Sequence, residues 1–194
     1  MTPFGAAGEA EGWVSVGRNR KRLLISLSLA VSMASGARAD VSFENAVKAA
    51  YIPKFIPFIT WPDAAFPSPT APVTICVLGT DPFAGKLEQS ADQLKSGERA
   101  IVVRHLSAPD ATCQVIFLGP EDDAVADGTL DAMKGRPVVT VTDSGLKTHG
   151  MISFLIEADQ VRFDIDDAAA AQGGLVISSK LLSLAHAVKQ RGQP

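Results

Sequence analysis

The sequence predicts an α/β fold, in which a single domain holds a mixed, largely parallel β-sheet flanked by helices on both faces, with a C-terminal antiparallel hairpin. Short apolar runs bounded by glycine, proline and turn residues, such as PVTICVLG at 72–79, are typical of strands buried on both faces. These runs alternate with helical stretches between 72 and 143, which is the pattern of βαβ units and a parallel sheet. Two further apolar runs, 151–156 and 161–165, are joined by a short turn and indicate the hairpin.

The N-terminal segment has the three parts of a secretory signal peptide. Basic residues cluster at 18–22, an apolar run follows at 23–34, and Ala37-Arg38-Ala39 provides a small-x-small cleavage site. The apolar run is shorter than the roughly 20 residues that a membrane-spanning helix needs. We therefore predict a signal peptide over 1–39, cleaved before Asp40, and an exported mature domain over 40–194. A retained anchor and a buried N-terminal helix are the alternatives.

The mature domain would be acidic. Its 155 residues carry 13 lysines and arginines against 19 aspartates and glutamates, a formal charge of −6. Nucleic acids and anionic membranes attract basic surfaces, so neither is expected as a partner. Since the rest of the sequence has no second apolar run of membrane-spanning length, we expect a soluble protein, and its length is typical of a single domain.

The first helix is predicted over 42–61, with Ser42 as its N-cap. Apolar residues recur there at steps of three and four, as one buried face requires, at Phe43, Val47, Ala50, Tyr51, Phe55 and Phe58. Pro53 and Pro57 each remove a backbone donor and should kink or break the second half of the helix.

The remaining elements follow from apolar periodicity and from helix and strand breakers. Strands are expected at 72–79, 98–106, 113–119 and 136–143, and helices at about 84–94 and 121–134. The segment 166–190 predicts two helices linked by an extended stretch at 175–177, because Leu181, Leu184 and Val188 continue at helical steps.

The stretch GTDPFAGK at 79–86 has the G-x-x-x-x-G-K spacing of a phosphate-binding loop between a strand and a helix. Leu87 stands where that motif needs a serine or threonine for Mg²⁺, and Pro82 lacks an amide hydrogen for the phosphate. The stretch is therefore interpreted as an ordinary strand-to-helix turn.

Three histidines, His105, His149 and His186, lie at no metal-ligand spacing from another histidine, a cysteine or a carboxylate, so no metal site is predicted. Asp143, Ser144 and His149 are the residue types of a hydrolase triad. Because the serine lacks a G-x-S-x-G elbow, a turn after a strand is the preferred interpretation.

Three aspartates, at 164, 166 and 167, lack the glycine and the terminal glutamate of a calcium-binding loop. One or two of them are expected to cap the helix that starts near Ala168. The residues thus predict no catalytic group, no metal and no cofactor.

Four aromatic residues cluster near the end of the first predicted helix: Phe55, Phe58, Trp61 and Phe66. Aromatic side chains at helical spacing are usually interior, which favours core packing and a hinge. Because phenylalanine and tryptophan are also favoured anchors of partner-binding or ligand grooves, that interpretation stays open.

Cys76 and Cys113 are the only cysteines in the sequence. An exported protein meets an oxidising compartment, where two cysteines usually form a disulfide, whereas in a reducing cytosol they would be buried apolar residues. The chain-entropy model gives a loop of this length roughly 3 to 4 kcal/mol of stabilisation. The sequence has no Cys-x-x-Cys, which argues against a thiol oxidoreductase.

Several segments together resemble the YfiR family of periplasmic regulators. They are KAAYIPKFIPFITWP (48–62), ICVLGTDPF (75–83), CQVIFLG (113–119), VVTVTD (138–143), GMISF and VRFDID (150–166) and GLVISSKLLSLA (174–185). The two cysteines fall where that family carries a cysteine pair, which supports the disulfide. The chain departs from the family at His149-Gly150, where Gly-Gly is typical, and at Ile165-Asp166, where Ile-Asn is usual.

The resemblance implies a non-catalytic periplasmic protein that binds and inhibits an inner-membrane diguanylate cyclase through its outward-facing domain. It also implies an outer-membrane, peptidoglycan-associated lipoprotein that relieves the inhibition by sequestration. Some relatives are encoded with sensor kinases or outer-membrane receptors instead, and a homodimer is left open. The residues predicted to bind a partner are Phe55, Phe58, Trp61, Phe66, His149 and Met151.

Two other classes of function compete with this one. A periplasmic small-ligand-binding sensor that acts on a membrane receptor or kinase predicts a closed pocket with converging polar groups. An enzyme requires a titratable cluster in a cleft, and the sequence displays none.

Overall fold

A computed structural model describes residues 35–119 and 123–192. The chain divides into two compact units, Met1–Ala37 and Arg38–Pro194, and the elements below belong to the second unit apart from the first turn of one helix. Within the described residues, we find no helix with both the length and the apolar character needed to cross a membrane. Most of the predicted signal peptide lies outside the described residues, and cleavage before Asp40 stays a prediction.

The described residues contain five α-helices and two short 3₁₀ segments. The α-helices are α1 (Ser35–Phe55), α2 (Lys86–Asp92), α3 (Asp123–Met133), α4 (Asp167–Gln172) and α5 (Ser179–Leu182). The 3₁₀ segments are Ile56–Phe58 and Asp63–Ala65.

The described residues contain ten strands in two sheets. The strands are β1 (Ile59–Thr60), β2 (Val73–Leu78), β3 (Lys95–Ser96), β4 (Arg99–Leu106), β5 (Val115–Leu118), β6 (Val139–Thr142), β7 (Ile152–Glu157), β8 (Gln160–Asp166), β9 (Val176–Ile177) and β10 (Val188–Lys189). The main sheet has the order β10-β8-β7-β6-β5-β2-β4-β3, and β1 pairs with β9 in a small antiparallel sheet. In the main sheet only β7–β8 and β3–β4 are antiparallel pairs, so the predicted α/β class with a mixed, largely parallel sheet is confirmed.

The central strands are buried on both faces. Every residue of β2, β5 and β6 is buried, which is why none of these strands carries a charged residue; β2 and β5 are mainly apolar, and β6 alternates valine with threonine. Successive side chains point to opposite faces, so each strand contributes to two cores.

The two cores lie on opposite sides of the sheet. On the side that we call the α1 face, Ile75 and Phe117 pack with apolar residues of α1 and α2. On the side that we call the α3 face, Cys76 and Ile116 pack with Met133 of α3. Helices therefore cover both faces, as predicted.

The bounds predicted for the first helix are wrong at both ends. The helix starts at Ser35, so Ser42 lies inside it and is not the N-cap, and it ends at Phe55 soon after Pro53. Pro57 falls at the start of the following 3₁₀ segment, where a missing amide hydrogen costs little. The chain then turns into β1, so the predicted break in this region is confirmed.

The predicted last helix is also wrong beyond Leu182. The backbone amide of His186 donates to the carbonyl of Phe163 at 2.8 Å, and the amide of Ile165 donates to the carbonyl of Ala187 at 2.9 Å. Because the open edge of β8 offers these partners, Val188 lies in β10, parallel to β8, and does not continue the helix. The extended link at 175–177 is confirmed by the pairing of β9 with β1.

Candidate protein-docking surface

The inward face of α1 differs from the predicted one. Ala49, Ile52 and Phe55 are buried against the sheet, whereas Phe43 is 71% exposed. Val47 and Tyr51 are half-buried. The helix therefore carries two apolar stripes. Ala49, Ile52 and Phe55 form the inward stripe, and Phe43, Val47 and Tyr51 form the outward stripe.

The outward stripe of α1 and the β7–β8 hairpin border an open groove of about 650 Å³. Its lining consists of Phe43, Glu44, Val47, Tyr51, Ile156, Asp159, Gln160, Val161 and Arg162. Among the large apolar side chains of the described residues, Phe43 is the most exposed, and Ile156 is 43% exposed. The groove is therefore lined by apolar and aromatic side chains together with charged ones.

The hairpin wall of the groove is fixed by its turn. Ala158 and Asp159 both have positive φ, at 48° and 59°, and join the strands as a two-residue turn. The register places Ile156 directly opposite Val161, so these two side chains form one apolar pair on the same face of the hairpin.

A buried charged network fixes α1 on the sheet. The ammonium of Lys48 is hydrogen-bonded to carboxylate oxygens of Glu44 and Asp143 and lies 3.0 Å from the hydroxyl of Ser144. Lys48 is 1% exposed and Asp143, directly after β6, is 6% exposed. Because Lys48 belongs to α1 and Asp143 follows β6, their bond holds the Lys48 side of the helix against the sheet, which leaves the stripe of Phe43, Val47 and Tyr51 facing outward.

The same network includes the hydroxyl of Ser144. This hydroxyl accepts from the Lys48 ammonium at 3.0 Å and donates to a carboxylate oxygen of Glu44 at 3.2 Å. His149 and Ser144 share no hydrogen bond among those found in the described residues. The turn predicted at 143–145 is confirmed by the bond from the Leu146 amide to the Asp143 carbonyl.

The aromatic residues predicted to bind a partner lie mostly inside. Phe55 and Trp61 are buried in the core of the α1 face, and the ring centroids of Phe55 and Phe163 are 4.9 Å apart. Phe58 and Phe66 are half-buried at the edge of the same core.

The other two predicted residues lie at a separate cleft. Met151 is buried and His149 is exposed, and both line an open cleft of about 300 Å³ together with Thr140, Asp166 and Lys189. A role in partner binding for the six predicted residues stays a prediction, and only Phe58, Phe66 and His149 offer substantial surface.

The predicted disulfide is present between Cys76 of β2 and Cys113, with the Cα atoms 6.0 Å apart. Both cysteines are buried on the α3 face, on the opposite side of the sheet from the groove. The bond ties the chain segment before β5 to the middle of the sheet.

One group of metal-ligating residue types converges within the described part of the chain, although sequence spacing did not indicate it. Asp81, Glu88 and His105 each place a ligand atom within 4.8 Å of the other two. Burial raises the pKa of Glu88, but hydrogen bonds from His105 and from its own amide lower it more, so the net pKa lies below its usual value. The carboxylate is therefore charged at neutral pH.

The fold defines a class of protein: an α/β domain with a mixed, largely parallel sheet and one internal disulfide. The model of a family described as YfiR/HmsC-like matches residues 45–186. The chain belongs to this family, as the resemblance predicted. Membership supports a regulatory function connected with diguanylate cyclase signalling in the periplasm.

Sequence reasoning missed the residues of the groove. Phe43, Val47 and Tyr51 were assigned to the buried face of the helix, although Lys48 and Ala49 occupy that face. A signal was present, because the inward stripe Ala49, Ile52 and Ile56 also has helical spacing.

Proposed function

We propose that this protein is a non-catalytic periplasmic regulator that binds an inner-membrane diguanylate cyclase and inhibits it, lowering cyclic di-GMP synthesis. The observation that carries the proposal is the exposed apolar groove between α1 and the β7–β8 hairpin in a member of a regulatory family. A partner segment seated there would cover Phe43 and Ile156.

The chemistry of the groove suits a protein segment. Protein interfaces usually combine apolar and aromatic residues with polar ones, and the lining of the groove combines Phe43 and Tyr51 with the charged residues Glu44 and Arg162. The groove is open, not enclosed, which fits a protein segment such as an amphipathic helix better than a small molecule.

The groove is also held rigid before any partner arrives. The Lys48 network fixes α1, and the Tyr51 ring lies 6.0 Å from the Phe163 ring of β8. Because little needs to be ordered on binding, more of the apolar contact energy appears as affinity.

Relief of the inhibition would come from a competitor for the same surface. We assign that role to an outer-membrane, peptidoglycan-associated lipoprotein, which would hold the protein away from the inner membrane. A homodimer that used the groove would compete in the same way, so dimerisation and cyclase binding should exclude each other.

The test places a photo-crosslinking phenylalanine analogue at position 43 in cells that carry the full-length gene. A crosslink to a diguanylate cyclase is expected at position 43 and is not expected from the same analogue at position 184. Leu184 is a matched control because it is 67% exposed and lies outside the groove. Crosslinks only to another copy of the chain, or to a cyclase from both positions alike, would contradict the proposal.

The functional readout is cellular cyclic di-GMP. Deleting the gene should raise its level, and the wild-type gene and Leu184→Ala should restore it. Phe43→Ala and Ile156→Ala should fail to restore it at equal protein abundance, since truncating a central interface anchor typically costs about 2 kcal/mol or more, at least a tenfold loss of affinity.

A small-ligand-binding sensor is the second candidate, and the cleft near His149 is the observation that favours it. Asp131, Lys134, Asp166 and Lys189 bring both signs of charge to this cleft. A ligand that raises the melting temperature of the wild type but not of His149→Ala would support this function. A screen of periplasmic metabolites without any such shift would remove it.

A further inference from the structure

Asp81, Glu88 and His105 come from three different elements. Asp81 lies in the loop after β2, Glu88 in the first turn of α2, and His105 next to the last residue of β4. The His105 Nε2 atom is 2.7 Å from the Glu88 Oε1 atom. The group thus offers one imidazole nitrogen and two carboxylates.

Sheet pairing explains why these residues meet. β2 and β4 are parallel neighbours, and His105 stands opposite Val77, just before β2 ends. The amide of Gly79 donates to the carbonyl of Leu106 at 3.1 Å, so the two strand ends stay together. Ligands in α/β proteins commonly bind beyond the carboxyl ends of parallel strands.

The loop that carries Asp81 is fixed from both sides. One carboxylate oxygen of Asp81 accepts the Phe83 amide at 2.8 Å, and the side-chain amide of Asn45 in α1 donates to the Pro82 carbonyl at 3.1 Å. Phe83 itself is buried, with its ring centroid 4.7 Å from that of Phe117. Asp81 is therefore held in place, as a metal ligand requires.

One carboxylate oxygen of Glu88 is unsatisfied. The Glu88 side chain is 37% exposed as a whole, but its Oε2 atom is inaccessible to solvent and has no hydrogen-bond partner within residues 35–119 and 123–192. Leaving such a carboxylate oxygen unpaired is unfavourable, and a bound cation would satisfy it.

We propose that Asp81, Glu88 and His105 bind a divalent transition-metal ion of the zinc class. An imidazole nitrogen with two carboxylate oxygens suits Zn²⁺ and its neighbours, whereas Mg²⁺ and Ca²⁺ prefer oxygen ligands alone. His105 is 47% exposed, so the ion has an entry path and water can complete its coordination. The site is separate from the proposed docking groove, and neither proposal depends on the other.

A second histidine serves as the control. His186 also contacts two carboxylates, but Asp164 faces its Nδ1 atom and Glu157 faces its Nε2 atom. These two carboxylates lie on opposite sides of the ring and cannot converge with it on one ion. His186→Ala therefore removes a histidine with similar surroundings and no site.

The experiment titrates ZnCl₂ into the purified protein, freed of metal with a chelator, by isothermal titration calorimetry. We expect one Zn²⁺ per chain, a dissociation constant raised at least tenfold in His105→Ala and in Glu88→Gln, and one unchanged within twofold in His186→Ala. Nitrogen NMR of the imidazole rings should show the shift on His105 and not on His149.

Circular dichroism checks that each variant folds, and Glu88→Gln preserves the shape of the side chain. Absence of zinc binding by the wild type, or binding that both site variants retain, would overturn the proposal. An equal response to MgCl₂ would overturn the assignment to the zinc class.

Discussion

The two faces of the sheet are stabilised in different ways. Within the part of the chain that the structure describes, the core of the α1 face contains 26 buried residues, with several phenylalanines in mutual contact, and the core of the α3 face contains nine. The disulfide lies in the smaller core, and the buried Lys48 network lies under α1 on the side of the larger one. A small apolar core commonly needs a covalent link, and a large core can accommodate a buried charge that fixes geometry.

The largest loss of stability is expected from removing the disulfide. Cys76→Ala combined with Cys113→Ala should lower the free energy of unfolding by about 4 kcal/mol, because the bond closes a loop of 37 residues in the unfolded chain. Chemical denaturation measures it, and the wild type under reducing conditions should match the double variant. A loss below about 1 kcal/mol would mean that the smaller core needs no covalent support.

Removing the buried cation of the α1 face should have the next largest effect. Lys48→Met leaves the Asp143 carboxylate buried without its partner and should lower the free energy of unfolding by about 3 kcal/mol. This value is at the low end for buried ion pairs because the other carboxylate, that of Glu44, keeps contact with water. The exposed Lys54 of the same helix is the control, and Lys54→Met should change stability by less than about 0.5 kcal/mol. If Lys48→Met matched this control, the network would not determine how α1 sits.

A glycine contrast tests the packing of the α3 face. A Cβ atom on Gly150 would lie 2.7 Å from the Thr140 carbonyl oxygen, so Gly150→Ala should cost about 2 kcal/mol through backbone displacement. Gly128 of α3 has open space instead, and Gly128→Ala should stabilise the protein by about 0.5 to 1 kcal/mol. Thermal unfolding of both variants measures the difference, and equal signs would contradict the packing described for this face.

The smallest expected effect is the pH-dependent contribution of Asp110 to stability. This residue lies in the turn that precedes Cys113. Hydrogen bonds from the backbone amide and side chain of Thr112 hold the pKa of Asp110 below its usual value. Its contribution to stability is therefore present above the unfolded pKa and is lost as pH falls through the lower folded value. An NMR titration of the carboxyl carbon should show a midpoint below 3.8, and Thr112→Pro, which removes the amide donor, should raise it.

Local sequence patterns predicted most of the sheet. The apolar runs of β2 and β5 are typical of strands buried on both faces, and the short turn after Glu157 predicted the hairpin. Asp166 caps α4 through the Ala169 amide, as the aspartates before that helix indicated.

The site was harder to predict because it depends on long-range pairs. Lys48 and Asp143 are 95 residues apart, and periodicity contains no information about a buried lysine that turns a helix. His105 meets Glu88 only because β4 lies beside β2, so the spacing of the three histidines could not indicate that cluster.

The hydrogen bond from Asn45 to Pro82 joins two features that the sequence keeps far apart. Its donor stands on α1, which borders the groove, and its acceptor lies in the loop after β2 that carries Asp81. One helix therefore supplies a wall of the groove on one side and a support for this loop on another, so the position of α1 determines the geometry of both.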